Sequence, residues 1–192
     1  MPRPSSTGSV PSWDRLFELA APQAGYVTNE QATEAGYSRR LLQFYVEKGR
    51  LERSLRGILR LVHYPVSDHE DLVPTWLWSD KQGVFSHETA LMLHDLSDAL
   101  PSKHHMILPA SWGKRRLRVP KGLILKMRDL PKSAIAWMGP VPVTTPLQTV
   151  IDASIDHVQP DLVQQAIRQG VKRGLFSKDD VRRGLARKKG AK

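Results

Sequence analysis

The stretch that decides the fold is residues 28–61, TNEQATEAGYSRRLLQFYVEKGRLERSLRGILRL. Thr28 and Gln31 have the spacing of a capping box, in which two side chains satisfy two otherwise unpaired amide groups at the start of a helix. Gly36 ends this short helix, and Ser38 is a favoured N-cap for a second one. The pattern therefore predicts a helix, a tight glycine-containing turn and a second helix.

The second helix has an apolar side and is followed by a hairpin. Gly49 is the expected residue just past its end. Leucines then recur on one side of residues 51–55 and of residues 58–61, and Gly57 supplies the turn between them, which predicts a β-hairpin. Leu41, Leu42, Tyr45 and Val46 form the inner side of the helix. A hairpin directly after the second helix is the wing of a winged helix-turn-helix.

Polar and basic side chains are left on the outer side of this segment. The first turns of a recognition helix contact base edges in the major groove, where Arg pairs with guanine and Gln with adenine. Arginines near the hairpin tip can enter the minor groove or contact its backbone. An ordinary solvated basic face is the simpler alternative, but the caps, turn and hairpin favour DNA. We predict DNA contacts from Thr28, Ser38, Arg39, Arg40, Gln43, Lys48, Arg53, Arg56 and Arg60.

The composition supports a polyanionic partner. Among the 192 residues, 29 Lys and Arg face 19 Asp and Glu, so the net charge is +10. Such a charge attracts nucleic acid, but also a membrane surface or an acidic protein. The chain has no cysteine, which excludes a disulfide framework and a cysteine-ligated zinc site. Without a signal peptide or an apolar run of about 20 residues, we expect a soluble cytoplasmic protein.

The rest of the chain predicts a second domain. Helices are expected over residues 72–78 and after Ser86, Thr145, Gln159 and Ser177, while short β-prone runs lie at residues 105–108, 117–119, 123–127 and 134–137. The fold class is therefore α+β: an N-terminal winged helix-turn-helix domain followed by a mixed domain of helices and a small antiparallel sheet. The expected divisions are a flexible lead at 1–11, the winged domain at 12–65, a C-terminal domain at 72–185 and a basic tail at 186–192.

In the order of its motifs, the chain resembles the AbiEi antitoxin family, the winged-helix transcriptional regulators of type IV toxin–antitoxin systems. The resemblance spans residues ~12–185. Each motif is loose, but their order and spacing together are fairly specific. The segments that carry it are residues 25–32, 37–42, 49–51, 56–61, 86–91, 105–109 and 143–152.

This resemblance implies two activities. The winged helix would bind the operon's own promoter and repress it. Independently of the resemblance, we expect two monomers rather than a fixed dimer, bound to inverted repeats of that promoter. The C-terminal domain would neutralise a nucleotidyltransferase toxin, in several members without a stable complex. From the residues we expect neither a cofactor nor a metal.

Enzymatic interpretations find less support in the sequence. A nuclease needs clustered carboxylates for Mg²⁺, but the acids Asp95, Asp98, Asp129, Asp152 and Asp156 are scattered. The histidines, among them His87 and His94, lack a paired ligand set, so helix packing explains them better. Ser86, His87 and Glu88 with Asp95 or Asp98 do not make a catalytic trio, because neighbours on a helix diverge. We therefore expect no catalytic or metal-binding residues. A stand-alone regulator without a toxin is the other alternative.

A second basic region spans residues 114–128. Three interpretations stay open for it: an auxiliary DNA surface, a contact to toxin or RNA, or a soluble loop. The operator sequence and the residues that neutralise a toxin do not follow from the sequence.

Overall fold

A computed structural model of the chain describes residues 10–189. Within them the chain separates into two compact units, divided between Lys81 and Gln82. Most of the expected flexible lead lies outside the described residues. The last helix continues to Lys189, inside the expected basic tail at 186–192.

The first unit begins with α1 (Trp13–Ala20). The elements that follow are β1 (Tyr26–Thr28), α2 (Asn29–Glu34), α3 (Arg39–Glu47), β2 (Leu51–Leu55), β3 (Ile58–Leu61) and α4 (Val73–Trp78). The three strands pair antiparallel in the order β1-β3-β2. The predicted order of helix, turn, helix and hairpin is therefore present.

In the first unit, side-chain caps start α1, α2 and α3. The Leu41 amide donates to Ser38 Oγ at 3.2 Å, and the Arg15 amide donates to the Oγ of Ser12 at the start of α1, also at 3.2 Å. The capping box is complete: the Gln31 amide donates to Thr28 Oγ1 at 3.2 Å, and the Thr28 amide donates to Gln31 Oε1 at 2.9 Å. Each cap satisfies an amide that has no partner inside its helix.

The wing turns at Gly57, whose φ of +81° lies in the left-handed region that glycine adopts without strain. Its carbonyl accepts a hydrogen bond of 2.8 Å from the amide of Asn29, the first residue of α2. The hairpin tip is thereby attached to the start of the helix-turn-helix. Leu51 lies opposite Leu61 and Arg53 opposite Leu59 across the two strands.

The first unit extends beyond the expected winged domain. Its core joins α1, α3 and the sheet through Leu16, Val27, Leu42, Leu51 and Leu59, all buried. The helix α4 then packs on β1, β2 and β3, with Trp76 and Leu77 buried. The structure thus divides the chain after Lys81, later than the expected start of the second domain at residue 72, because α4 covers the first sheet.

Between residues 82 and 189, the second unit contains a five-stranded sheet and four α-helices. Its elements are β4 (Val84–Phe85), α5 (His87–Leu93), β5 (His104–Leu108), β6 (Leu123–Met127), β7 (Ile135–Met138), β8 (Val141–Thr144), α6 (Pro146–Ile155), α7 (Pro160–Lys172) and α8 (Lys178–Lys189). The strand order is β6-β5-β4-β8-β7. The mixed α+β class is confirmed.

The sheet itself differs from the expected antiparallel one. β5 pairs with β6 in parallel, and β4 pairs with β8 in parallel, so the sheet is mixed. Residues 117–119 do not form the expected strand. β4 has only two residues, too few for a recognisable alternation, and β8 contains Pro142, which disfavours a strand in a sequence pattern.

The helices of the second unit pack closely around a shared apolar core. Leu91 of α5, Val150 of α6 and Ala166 of α7 are fully buried in it. Gly170 of α7 permits a close approach, since a Cβ there would overlap the ring of Phe176. This glycine is therefore fixed by packing rather than by a turn.

Ionisable side chains also lie inside the second unit. Arg128 donates two hydrogen bonds to the Asp152 carboxylate, at 2.8 and 2.6 Å, and Gln148 donates a third at 2.7 Å. The Asp152 side chain has no exposed surface, while that of Arg128 is 31% exposed. His94 Nε2 donates to the Thr144 carbonyl at 2.7 Å. Buried polar groups of this kind are tolerated because they are paired.

Candidate nucleic-acid interface

The helix α3 presents a polar outer face above its buried side. Leu42 is buried and faces the core of the first unit, whereas Arg39, Arg40 and Gln43 are exposed. Ser38, also exposed, caps the N-terminal end of the helix. The structure thus places the sequence-predicted base readers together on the first two turns of α3, as a recognition helix requires.

A hydrogen bond connects this face to the wing. The Arg53 guanidinium donates to Gln43 Oε1 at 2.5 Å, and Gln43 Nε2 donates to Glu47 Oε1 at 2.9 Å. Both polar atoms of the Gln43 amide are therefore engaged within the protein. In this arrangement the glutamine joins the helix to the hairpin, and it would have to exchange a partner to read adenine.

The wing tip and the start of α3 border a common groove. Its volume is about 600 Å³, and it lies entirely within the first unit. Arg39 and Arg56 both line it, so two residues separated by 17 positions in the sequence share one surface. Glu30, Trp78 and Asp80 line the same groove, so its lining includes two carboxylates as well as two guanidinium groups.

Arg60 does not fit the predicted DNA-binding set. It is only 7% exposed, and its guanidinium lies 3.1 Å from Glu70 and 3.8 Å from Glu52. It also lies over the ring of Tyr26, 5.7 Å from the centroid. Because Arg60 alternates with Leu59 and Leu61, the sequence predicts that its side chain faces solvent. β3, however, is the central strand of its sheet and all four of its residues are buried. We leave Arg60 out of the proposed interface.

Thr28 and Lys48 lie at the margins of the interface. Thr28 is partly buried and its hydroxyl is used by the capping box. Lys48 is exposed at the C-terminal end of α3, with its Nζ 5.7 Å from the centre of the Phe44 ring.

Phe44 was missed by the sequence reasoning, although it is 47% exposed on α3. It lies four residues after Arg40 and four before Lys48, on the same side of the helix. That spacing could have identified it, but apolar residues are first assigned to a core.

The second basic region is divided between an irregular loop and ion pairs. Arg128 is paired with Asp152, and Lys126 Nζ lies 3.5 Å from the carboxylate of Asp156. Arg115 stacks over the ring of Trp112 at 4.3 Å. The exposed cations of the region are Lys114, Arg115, Arg116, Arg118, Lys121 and Lys126. Three of its seven cations are therefore engaged in ion pairs or ring stacking, and the other four are exposed between β5 and β6.

One histidine of the second unit, His87, joins a polar network with Ser86 and Asp156. Ser86 Oγ lies 2.9 Å from His87 Nδ1, and His87 Nε2 donates to Asp156 Oδ2 at 2.7 Å. Burial opposes ionisation of Asp156, but the hydrogen bond from His87 and the charges of His87 and Lys126 outweigh it and lower the pKa of that carboxyl. Ser86 and His87 are buried, so the serine hydroxyl is not accessible to a substrate.

Residues 10–189 were searched for a metal-binding cluster and for a membrane-spanning helix. They contain no group of three His, Cys, Asp or Glu side chains arranged to hold a metal ion. Across the same described range, no helix is both long and apolar enough to span a membrane.

Comparisons with known proteins agree with the geometry of the first unit. Residues 14–62, from α1 through the wing, match the family described as "Transcriptional regulator, AbiEi antitoxin". This match confirms the resemblance over residues 14–62. A comparison with curated proteins found no match.

Among solved structures, the crystal structure of the RV2827C protein from Mycobacterium tuberculosis is similar, with a TM-score of 0.54 and 18% identity. The similarity covers 94% of this chain and 73% of that one. At this identity the likeness concerns the fold alone.

Proposed function

We propose that this chain, whose residues 14–62 match the AbiEi antitoxin family of transcriptional regulators, binds double-stranded DNA in its own promoter and represses it. α3 would enter the major groove and the wing would contact the adjacent backbone or minor groove. In this proposal the chain is a DNA-binding regulator without catalytic activity.

One observation carries the DNA-binding half of the proposal. The exposed side chains of Arg39 and Arg40 lie on the first turn of a helix that Ser38 caps, and a wing with Arg53 and Arg56 follows directly. Arginine at the start of a recognition helix can form paired hydrogen bonds to guanine. Ser38 and the first amides of the helix can receive a phosphate.

A gel-shift titration tests this proposal with the full chain and a duplex of the DNA upstream of its gene. Replacing Arg39, Arg40 and Gln43 with Ala should weaken binding at least about a hundredfold, since each arginine–guanine pair contributes about 1–3 kcal/mol. The matched control replaces Gln164, Arg168 and Lys172, which are likewise one glutamine and two cations, all exposed on a helix, α7.

The control should retain the affinity of the unaltered chain within a few-fold, because only its general charge is reduced. Equal binding by the two triple variants would exclude α3 as the recognition helix. Metal-dependent cleavage of the duplex by purified protein would contradict a regulator without catalytic activity.

We assign the antitoxin half to the second unit. Its support is the resemblance, since the matched residues 14–62 lie in the first unit. The proposed partner is a nucleotidyltransferase toxin, neutralised without a stable complex, and two monomers would occupy inverted repeats on the promoter. Co-expression with the nucleotidyltransferase encoded by the adjacent gene tests it: the full chain should restore growth.

The antitoxin test has its own control. The triple variant of α3 should still restore growth, because toxin neutralisation is assigned to the other unit. If no such gene lies beside this one, or if growth is not restored, the chain is a stand-alone regulator.

A further inference from the structure

One apolar side chain lies among the polar groups of the recognition helix. Phe44 is 47% exposed, and Arg40 and Lys48 lie one helical turn before and after it. These three residues form a row along α3, beside the row of Arg39, Gln43 and Glu47.

The exposure of Phe44 has no evident role in stability. The buried side of α3 is formed by Leu42, while Phe44 touches the edge of Tyr45, with 5.7 Å between the ring centres. Lys48 Nζ lies 5.7 Å from the centre of the Phe44 ring. Nearly half of an apolar side chain is thus left in water on the face that the proposed function turns toward DNA.

The neighbouring row is less free to read bases. Gln43 is bonded to Arg53 of the wing and to Glu47, so its amide is already engaged. Phe44 needs no such exchange of partners. Arg40, on one side of it, is a candidate base reader, and Lys48, on the other side, carries a charge that can neutralise a phosphate along the groove.

The major groove displays one apolar group that distinguishes a base, the 5-methyl group of thymine. Resting on the proposed function, we propose that Phe44 is a specificity-determining residue that contacts the methyl group of a thymine in the bound DNA. The ring would bury its exposed surface on that methyl group, while Arg40 and Lys48 hold the helix in the groove.

The test begins with selection of binding sites from a randomised duplex by the full chain. Each thymine of the selected sequence is then replaced, one at a time, by deoxyuridine, which removes a single methyl group and preserves base pairing. We expect one replacement to weaken binding about fourfold, the factor that corresponds to the burial of one methyl group at about 0.8 kcal/mol.

Two variants assign that loss to the ring. Phe44→Ala should bind the thymine duplex more weakly than the unaltered chain and should bind the thymine and deoxyuridine duplexes equally. Phe44→Leu, which keeps apolar bulk, should retain part of the discrimination. Phe17→Ala is the matched control, because Phe17 is 46% exposed on α1 and lies beside Tyr64, and it should keep the full fourfold difference.

The outcomes separate this inference from the proposed function. Tight binding of a selected sequence that tolerates deoxyuridine at every thymine overturns the role of Phe44 and leaves the DNA-binding proposal intact. The role of Phe44 is equally overturned if Phe44→Ala, checked for an unchanged thermal melt, still discriminates between the two duplexes. If the selection enriches no sequence, the result contradicts the proposed function, and the inference on Phe44 falls with it.

Discussion

The first unit holds Arg39, Arg40, Arg53 and Arg56 exposed on a helix and a wing, whereas the second unit holds Arg128 against the buried carboxylate of Asp152. The four arginines of the first unit and Arg128 come from basic stretches that look alike in the sequence. Their surroundings separate them, because a guanidinium that is paired with a buried carboxylate is not available to a phosphate. Arg60 shows the same effect within the first unit.

This difference between the two units teaches that the count of charges in a segment does not measure its capacity to bind DNA. In the winged segment most of the cations lie on regular elements that fix their direction. In residues 114–128 the cations lie in a loop, over an aromatic ring or in ion pairs. Substitutions in the two units can test that contrast.

The largest effect should come from the buried ion pair. Arg128→Ala leaves the fully buried Asp152 carboxylate without its cation and should lower the free energy of unfolding by about 3–5 kcal/mol. Asp152→Ala should cost less, since Arg128 is partly exposed and water can solvate it. Arg182→Ala, from a pair whose side chains are 80% and 72% exposed, should change stability by less than about 1 kcal/mol. Urea unfolding measures all three, and equal losses would refute the contrast.

The wing and the loop should differ next in DNA affinity. Replacing Arg53 and Arg56 with Ala should weaken binding about tenfold and reduce the slope of log affinity against log salt by about 2, if each contacts a phosphate. The same double replacement at Arg116 and Arg118 should change affinity by less than about threefold. Titrations at several salt concentrations measure both, and a larger loss from the loop pair would move the interface to the second unit.

A smaller effect should appear in the pH dependence of the second unit. Burial, reinforced by the charge of Arg173 and opposed by the hydrogen bond to Thr144, lowers the pKa of His94. Burial and the charges of His87 and Lys126 also lower the pKa of His105, against the effect of Glu88.

The unfolded chain then binds more protons than the folded one just below about pH 6.5, so stability should fall as the pH decreases through that value. His94→Gln, which can keep the donor to Thr144, should flatten the decrease in urea unfolding between about pH 7.5 and about pH 5.5. An unchanged slope in the variant would exclude His94 as a source of the pH dependence.

The smallest effect concerns the hydrogen bond between helix and wing. Single replacements of Gln43 and Arg53 by Ala, and the double replacement, form a cycle for DNA affinity. If the Arg53 guanidinium positions the Gln43 amide, the effects should not add, with a coupling of about 0.5–1 kcal/mol. Additive effects would mean that the two residues act independently on the DNA.

The sequence alone determined the local parts of this protein. The caps at Thr28 and Ser38 and the turn at Gly57 were all correctly predicted, because each signal and its effect lie within about four residues. The outward direction of Arg39 and Arg40 followed from the helical period. The match of residues 14–62 to a regulator family agrees with this interpretation.

Only the tertiary structure decided which charges are available and how the second sheet is arranged. Arg60 is buried because β3 is central and Glu70 approaches from a distant segment. The pairing of Arg128 with Asp152 and the parallel contacts of β5 with β6 and β4 with β8 also join distant parts of the chain. Sequence patterns with a period of two or 3.6 residues cannot predict these contacts, because the contacts depend on how whole elements pack against one another.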